Sequence, residues 1–465
     1  MTNGDQVFIR HEVRSTAGEE ALGHYAAAVA VMKSRPVDQT DSWLYQAGIH
    51  GSTQPPRALW NQCEHLSWYF LPWHRMYLYY FERIVRKAVE AAGGPADWAL
   101  PYWDYSPGGE SAKLPDSFRH PADPATNPLY VADRVPTYND GNPLPNRVIN
   151  QSLALARPAY IGNAEFGGHE AEPGKGFWGL QGRVEETPHN NIHSTIGGLM
   201  GNPKTAAQDP IFWLHHSNID RIWAVWNESE HRQDPTAEAW LEQSWHFFDA
   251  DGSEKEKTSS QVLQTVPDLG YTYDPSPAGI VEELVPPPPP PPPPSAPPPP
   301  EEPKFVGASE ESVPLEGEPI EVPVEIDPRA REEVLEAANP EDPRHLYLNI
   351  EDIKGETNPS IVYGIYVNLP KEPDQQEFDR HYLGNLSFFG IEEASAPTDD
   401  SHPHGMRTSI EAGDMIRVLR DDTDWDRENL QICFWPVTPP PTETNERYAH
   451  HDPIRIGRVS LSIDA

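Results

Sequence analysis

Apolar positions recur every three or four residues along the first part of the chain and give way to short alternating runs towards its end. Ala21, Leu22, Tyr25, Ala28 and Val29 fall at helical intervals, with Thr16 and Glu19 at capping-box spacing ahead of them. A second helix is predicted from Pro72, whose missing N–H costs nothing in a first turn. It runs through Met76, Tyr80, Ile84 and Ala88 to a stop at Gly93 and Gly94. A third starts at Asp209, an N-cap residue followed by Pro210 at the first helical position, and continues from Ile211 to Trp226. Residues 105 to 185 are rich in Pro, Asn and Gly and read as long irregular connections, so a helical bundle with long loops is expected.

Pro286 to Pro294 form an unbroken run, followed by Ser295, Ala296 and prolines to Pro300. Such a segment is neither helix nor central strand, because proline lacks an N–H and has a fixed φ. As polyproline II at ~3.1 Å per residue it would span on the order of 45 Å, a semi-rigid spacer. Beyond it the pattern alternates: Leu346 to Ile350, Ile361 to Leu369, Leu386 to Ile391, Met415 to Leu419, Leu430 to Trp435 and Ile454 to Ile463. Turn-forming residues separate these runs at the intervals of an all-β sandwich. The fold class expected is α + β multidomain: a mainly α helical bundle over 1–285, a Pro-rich linker over 286–303, and a β-sandwich over 304–465.

Length and charge narrow the classes. At 465 residues the chain exceeds what one core usually serves, which supports two domains. A formal charge of −37 argues against nucleic acid and anionic membranes as partners. The opening MTNGDQVFIRHEVR has no apolar stretch of signal-peptide type, so a cytoplasmic location is expected. Cys63 and Cys433 lie on opposite sides of the proline run and are not expected to form a disulfide.

Six histidines carry the candidate chemistry: His50, His65 and His74 early, His189, His193 and His216 later. Imidazole suits copper, zinc, iron and nickel, and two three-histidine sets with neither a carboxylate nor a Cys-pair signature favour copper. His189 and His193 are four apart, on one face if that segment is helical. His65 and His74 are nine apart and would oppose each other on a continuous helix, but a helix that begins near Pro72 frees His65 to converge from the preceding segment. His50, beside Gly51 on an apparent loop, offers a third nitrogen. His215 and His216 point about 100° apart, and periodicity does not choose between them. His216 has Asp220 one turn on as a possible orienting partner, whereas His215 aligns with Ile211, Ile219 and Ile222.

Three segments carry a family resemblance. They run from His65 to Arg75 (HLSWYFLPWHR), from Pro188 to His193 (PHNNIH) and from Asp209 to Arg221 (DPIFWLHHSNIDR). They resemble the copper-A and copper-B motifs of tyrosinases and polyphenol oxidases. Pro101 to Asp104 and Tyr271 to Asp274 are similar to further landmarks, so the resemblance covers roughly residues 5 to 280. It implies a type-3 copper pair, with His50, His65 and His74 on one ion and His189, His193 and His216 on the other, and so selects His216 over His215. It also implies dioxygen as co-substrate and a bacterial pro-form with a C-terminal cap.

The resemblance extends to single residues. Cys63, in Cys63-Glu64-His65, matches the Cys-x-His that forms a thioether to a ligand imidazole in fungal tyrosinases and molluscan haemocyanins. Glu185 resembles the glutamate of a Glu-x-x-Pro-His pattern that holds a water in plant enzymes, and Asn190 would orient that water. Since a phenol has a pKa near 10, a nearby base aids hydroxylation, which assigns Glu185 and Asn190 to phenol deprotonation. The plainer reading of Glu185 is a favourable charge at a helix N-terminus. Ser194, Met200 and Gly201 are expected to line the substrate pocket, on or beside a flexible Gly-rich segment. In the C-terminal domain Leu386, Phe388 and Phe389 are candidates for an apolar plug over the site. His402, His404, His450 and His451 read as surface residues.

The function expected is oxidation of monophenols and o-diphenols to o-quinones, with small phenols as partners and a homo-oligomer possible. A catechol or o-aminophenol oxidase without hydroxylation is the alternative. A haemocyanin-like oxygen carrier would share the six ligands, but carriers are giant multi-unit assemblies and a single unit of this length argues for an enzyme.

Overall fold

The computed structural model describes residues 6–173, 181–229, 231–275, 303–339, 342, 344–396, 405–413, 415–416, 429–438 and 453–464. The chain divides into two compact units, 1–289 and 290–465. The proline run and the four histidines at 402, 404, 450 and 451 lie outside the described residues.

The first unit is built on helices α1 (Thr16–Ser34), α2 (Trp43–His50) and α3 (Phe70–Ala91), with a later long helix at Ile211–Asn227. Helix α1 is capped by Ser15, whose hydroxyl accepts the Gly18 N–H at 3.0 Å, one residue earlier than the Thr16 cap expected. Its apolar positions Leu22, Tyr25, Ala28, Val29 and Met32 are buried, and α1 packs on α3. Helix α3 begins two residues before Pro72, which still sits in the first turn, where backbone N–H groups have no intrahelical acceptor. The last long helix starts one residue later than expected, with Pro210 rather than Asp209 at its N-cap, although the Asp209 carboxylate still accepts the Ile211 N–H at 3.1 Å.

Two devices hold the irregular parts of this unit. The buried Arg134 guanidinium pairs with Asp209 at 2.7 Å and donates to the carbonyls of Phe118 and Leu129, satisfying groups that a long loop would otherwise bury unpaired. Strand β1 (Phe8–His11) runs parallel to β4 (Tyr271–Asp274), and Arg10 reaches inward from it to Glu82 on α3 at 2.7 Å and to Asp220 at 3.1 Å. Asp220 also takes Arg75 and the hydroxyls of Tyr271 and Tyr273. One buried carboxylate thus ties α3 and the last long helix to the strand pair. Strands β2 (Ser244–Phe248) and β3 (Glu254–Thr258) form a separate hairpin.

The second unit is β-rich. Its strands are β5 (Lys304–Ala308), β6 (Val313–Leu315), β7 (Ile320–Ile326), β8 (His345–Ile353), β9 (Tyr363–Val367), β10 (Tyr382–Leu386), β11 (Met406–Glu411), β12 (Asn429–Pro436), β13 (Ile454–Ile456) and β14 (Arg458–Asp464). Eight of them form one sheet in the order β10-β9-β12-β7-β5-β14-β8-β11, and β13 pairs with β6. Among the described residues the larger hydrogen-bonded layer is this eight-stranded sheet. It curls around its core, because a Cβ on Gly384 of β10 would lie 3.0 Å from Ile410 of β11, the strand at the other end. Two boundaries differ from expectation: the chain leaves the sheet after Leu386 and forms a helix at Ile391–Ser395, and residues 415–416 are helical. In both runs apolar residues are buried by a helical turn, which a short apolar stretch cannot distinguish from a strand. Leu386 and Phe388 belong to this unit's own core. Among the described residues no helix is long and apolar enough to cross a membrane.

Candidate metal centre

Separate elements deliver six buried imidazoles to one place. His50 is the last residue of α2, not a loop residue as expected, and its Nδ1–H donates to the Pro203 carbonyl at 2.8 Å. His65 lies in the turn before α3, and His74 on α3 donates from Nδ1 to the Phe70 carbonyl at 2.8 Å. Ring centroids in this set are 5.2 Å (His50 to His65), 5.2 Å (His65 to His74) and 5.6 Å (His50 to His74) apart.

The second set comes from a widened helical turn, Glu185–Asn190, broken at Thr187, which leads into the helix Asn191–Ile196. His189 donates from Nδ1 to Asn190 Oδ1 and His193 from Nδ1 to the Met200 carbonyl, both at 2.8 Å. Their Nε2 atoms lie 3.3 and 3.2 Å from His216 Nε2. The two sets adjoin: the rings of His74 and His216 stack with centroids 4.6 Å apart, and His65 is 5.8 Å from His189.

These hydrogen bonds fix the chemistry of the rings. An imidazole whose Nδ1 donates to an oxygen carries its lone pair on Nε2. In His50, His74, His189 and His193 that lone pair is therefore free of its own proton, and in the second set two such nitrogens crowd against His216 Nε2. The Nε2 atoms of His50 and His74 are buried with no hydrogen-bond partner among the described residues. Converging buried lone pairs cost free energy unless a cation satisfies them. Burial also holds the rings neutral, the form that binds metal: the pKa of His50 falls to about 4, and those of His65, His74, His189, His193 and His216 lie well below the usual value. Within each set the ligand atoms lie within 4.8 Å of one another. The donor set fits two metal ions of the kind that take neutral nitrogen ligands.

Tertiary structure separates the adjacent histidines that periodicity could not. His215 falls within the same cluster, but its Nδ1 lies 3.3 Å from the Tyr105 hydroxyl, whereas His216 is the one whose Nε2 meets both neighbours. Asp220 does not orient His216, contrary to expectation. Its carboxylate is consumed by Arg10, Arg75, Tyr271 and Tyr273, since a buried charge needs all the donors it can find.

Glu185 is buried, and both its oxygens accept the Leu66 backbone N–H, at 2.8 and 3.0 Å. Burial pushes its pKa up to about 8, with the Leu66 hydrogen bond opposing. The Asn190 amide donates to Gln181 Oε1 at 2.7 Å while its oxygen holds His189. Ser194, Met200 and Gly201 are all buried, and Met200 contributes through its carbonyl. The Gly-rich segment expected to be flexible is a packed turn: Gly198 sits at φ +57°, and a Cβ there would be 2.1 Å from the Asp133 carbonyl oxygen. Cys63 and Cys433 form no disulfide.

Several contributors were not legible beforehand. The Pro203, Met200 and Phe70 carbonyls orient three rings, and a backbone carbonyl has no sequence signal. Phe212, on the last long helix, packs its ring against both sets, 5.0 Å from His50 and 4.1 Å from His216. Its place one turn before His216 was the available clue.

Comparison with known proteins follows the same division. Residues 40–155 and 150–229 match the family model described as the common central domain of tyrosinase, and residues 302–463 match a domain of unknown function, DUF7868. A tyrosinase of Hahella sp. (strain CCB-MM4) is 34% identical over 95% of this chain and 97% of that one. A latent chloroplastic polyphenol oxidase of Prunus armeniaca is 30% identical over 55% of this chain and 47% of its own length. Among solved structures, latent apple tyrosinase superposes with a TM-score of 0.63 at 20% identity, covering 99% of this chain and 98% of that one. That likeness shows the fold: a helical core followed by a β-rich domain.

Proposed function

The chain belongs to the tyrosinase family, and on that premise we propose that it oxidises monophenols and o-diphenols to o-quinones, with His50, His65 and His74 holding one copper ion and His189, His193 and His216 the other. It is a copper oxidoreductase acting on phenols, with two copper ions as cofactor and dioxygen as co-substrate. When bound, the copper pair supplies the electrons that reduce dioxygen and takes them back from the phenol. The observation that carries the ligand assignment is the convergence of the His189 and His193 Nε2 lone pairs on His216 Nε2 at 3.3 and 3.2 Å.

The protein's own groups position and exclude water. All six rings are buried, so the reacting phenol would meet a dry site lined by aromatic faces such as Phe212. Ser194, Met200 and Gly201 are assigned to the substrate pocket, and a thioether from Cys63 to His65 would fix the ring that lies in a turn. Glu185 and Asn190 are assigned to phenol deprotonation, Glu185 taking up the proton and the remaining N–H of Asn190 orienting a water. A second reading has specific support. With both oxygens on the Leu66 N–H and burial pushing its pKa up to about 8, the Glu185 carboxyl is held back from the charged form that would take up the phenol proton, which favours catechol or o-aminophenol oxidation without hydroxylation.

The β-rich unit is assigned a covering role, with the proline run as its tether, by likeness in fold to latent apple tyrosinase. The test is to load the protein with copper and follow tyrosine, catechol and o-aminophenol oxidation before and after limited proteolysis within 286–300. Activity that rises only after cleavage supports a latent enzyme. Oxygen uptake without turnover in both forms would overturn the enzyme reading.

A further inference from the structure

An asparagine amide has two ends of nearly the same shape, and this makes one of the six rings dependent on a residue that never touches it. Among the four rings whose Nδ1 partner is an oxygen, His50, His74 and His193 are held by the carbonyls of Pro203, Phe70 and Met200. A backbone carbonyl can only accept, so the proton on those rings has one place to go. His189 is held instead by the side chain of Asn190, at 2.8 Å. If that amide turned over, its NH2 would face Nδ1, the ring proton would move to Nε2, and the lone pair aimed at His216 would be lost.

Gln181, with its oxygen turned towards Asn190, settles the choice. Its Oε1 lies 2.7 Å from Asn190 Nδ2, and an acceptor there can be answered only by the NH2 end. We propose that Gln181 is a positioning residue for the second metal set: by accepting from Asn190 it holds the amide with its oxygen towards His189, and so keeps the His189 lone pair on the metal side. The chain Gln181 Oε1, Asn190 NH2, Asn190 Oδ1, His189 Nδ1–H runs in one direction, each donor meeting an acceptor. The inference rests on the copper-pair reading above. It extends that reading to a residue outside the motifs that carry it.

The experiment is equilibrium copper binding by the full chain against a competing chelator, for wild type, Q181L, Q181E, Q181K, N190D and the double variant Q181L/N190D. Loss of a partner that orients a ligand typically weakens metal binding 10- to 100-fold. Q181L is therefore expected to hold one of its two coppers about 10- to 100-fold more weakly and the other as before. Q181E keeps the acceptor and is expected to bind as wild type does. Q181K replaces the acceptor with a donor and should weaken the same single copper. N190D offers His189 an acceptor from either end, so Q181L should have no effect in that background. Wild-type affinity in both Q181L and Q181K overturns the proposal, as does loosening of both coppers or an effect that persists with N190D. If Q181L folds poorly, the pair Q181E and Q181K, of similar length to glutamine, decides. A wild-type chain that takes up fewer than two coppers refutes the copper-pair reading, and this inference with it.

Discussion

Glu185 accepts the backbone N–H of Leu66 with both carboxylate oxygens, at 2.8 and 3.0 Å, joining the start of the second histidine segment to the residue next to His65. Leu66 has a φ of +55°, a conformation a leucine rarely adopts unaided, and the shared carboxyl is one of the contacts that hold it there.

That carboxyl makes stability depend on pH in a defined direction. Its folded pKa of about 8 lies above its ordinary value of 4.5, so its contribution is complete below about 4.5 and is lost as pH rises through about 8. In the copper-free protein, Glu185→Gln removes this dependence while keeping an acceptor for Leu66. The stability difference between variant and wild type should move in favour of the variant by a few kcal/mol, in order of magnitude, between pH 5 and pH 8. Thermal unfolding at both pH values checks it, and a difference that stays flat would count against a carboxyl held neutral in the fold.

The adjacent histidines give a second expectation. His216→Ala should leave the protein with no more than one tightly bound copper per chain, whereas His215→Ala should retain two, because the His215 Nδ1 faces Tyr105. Metal analysis after exhaustive dialysis reads the difference directly. Equal losses from the two variants would mean that His215 also acts as a ligand.

Asp220 anchors two buried guanidinium groups. Asp220→Asn would leave Arg10 and Arg75 without their shared counter-charge, at a cost of about 3–5 kcal/mol, the range for breaking a buried ion pair. Chemical denaturation of the catalytic unit would register this as a lower midpoint. The loss should greatly exceed that of Arg57→Met, which removes an exposed pairing with Asp38 worth about 0–1 kcal/mol.

Gly198→Ala tests the packed turn. A methyl group there meets the Asp133 carbonyl oxygen at 2.1 Å in a left-handed conformation, so the turn must shift, at about 1–3 kcal/mol for the backbone strain alone. The shift would disturb the Met200 carbonyl two residues on, which holds His193. The variant should lose thermal stability and release copper faster than wild type; an unchanged protein would show that the turn is as pliant as its composition suggests.

Much of this molecule was readable from residue order. The helices through Tyr25, Tyr80 and Ile219 follow from apolar spacing, because an amphipathic stripe has one stable way to bury itself. Runs such as Leu346 to Ile350 and Leu430 to Trp435 formed strands for the matching reason, their alternate side chains facing the core. Strands β1 to β7 and β11 fall outside the runs expected to be strands, which meet β10 only at Leu386. Where an apolar run is short, as at Ile391 and Ile416, helix and strand bury it equally well, and local pattern has no further information.

The sequence by itself determined which residue types carry the chemistry: six histidines in two spaced sets, with motifs specific enough to name a family. The tertiary structure alone decided that His216, which only the family resemblance had favoured over His215, turns its Nε2 onto those of His189 and His193, that Asp220 serves two arginines rather than a histidine, and which oxygen holds each of four imidazoles. The physical reason is that ligand choice depends on where a lone pair points, and that direction is set by carbonyls and amides brought from distant parts of the chain. Spacing along one helix fixes the angle between neighbours, but only the packed neighbours fix the proton.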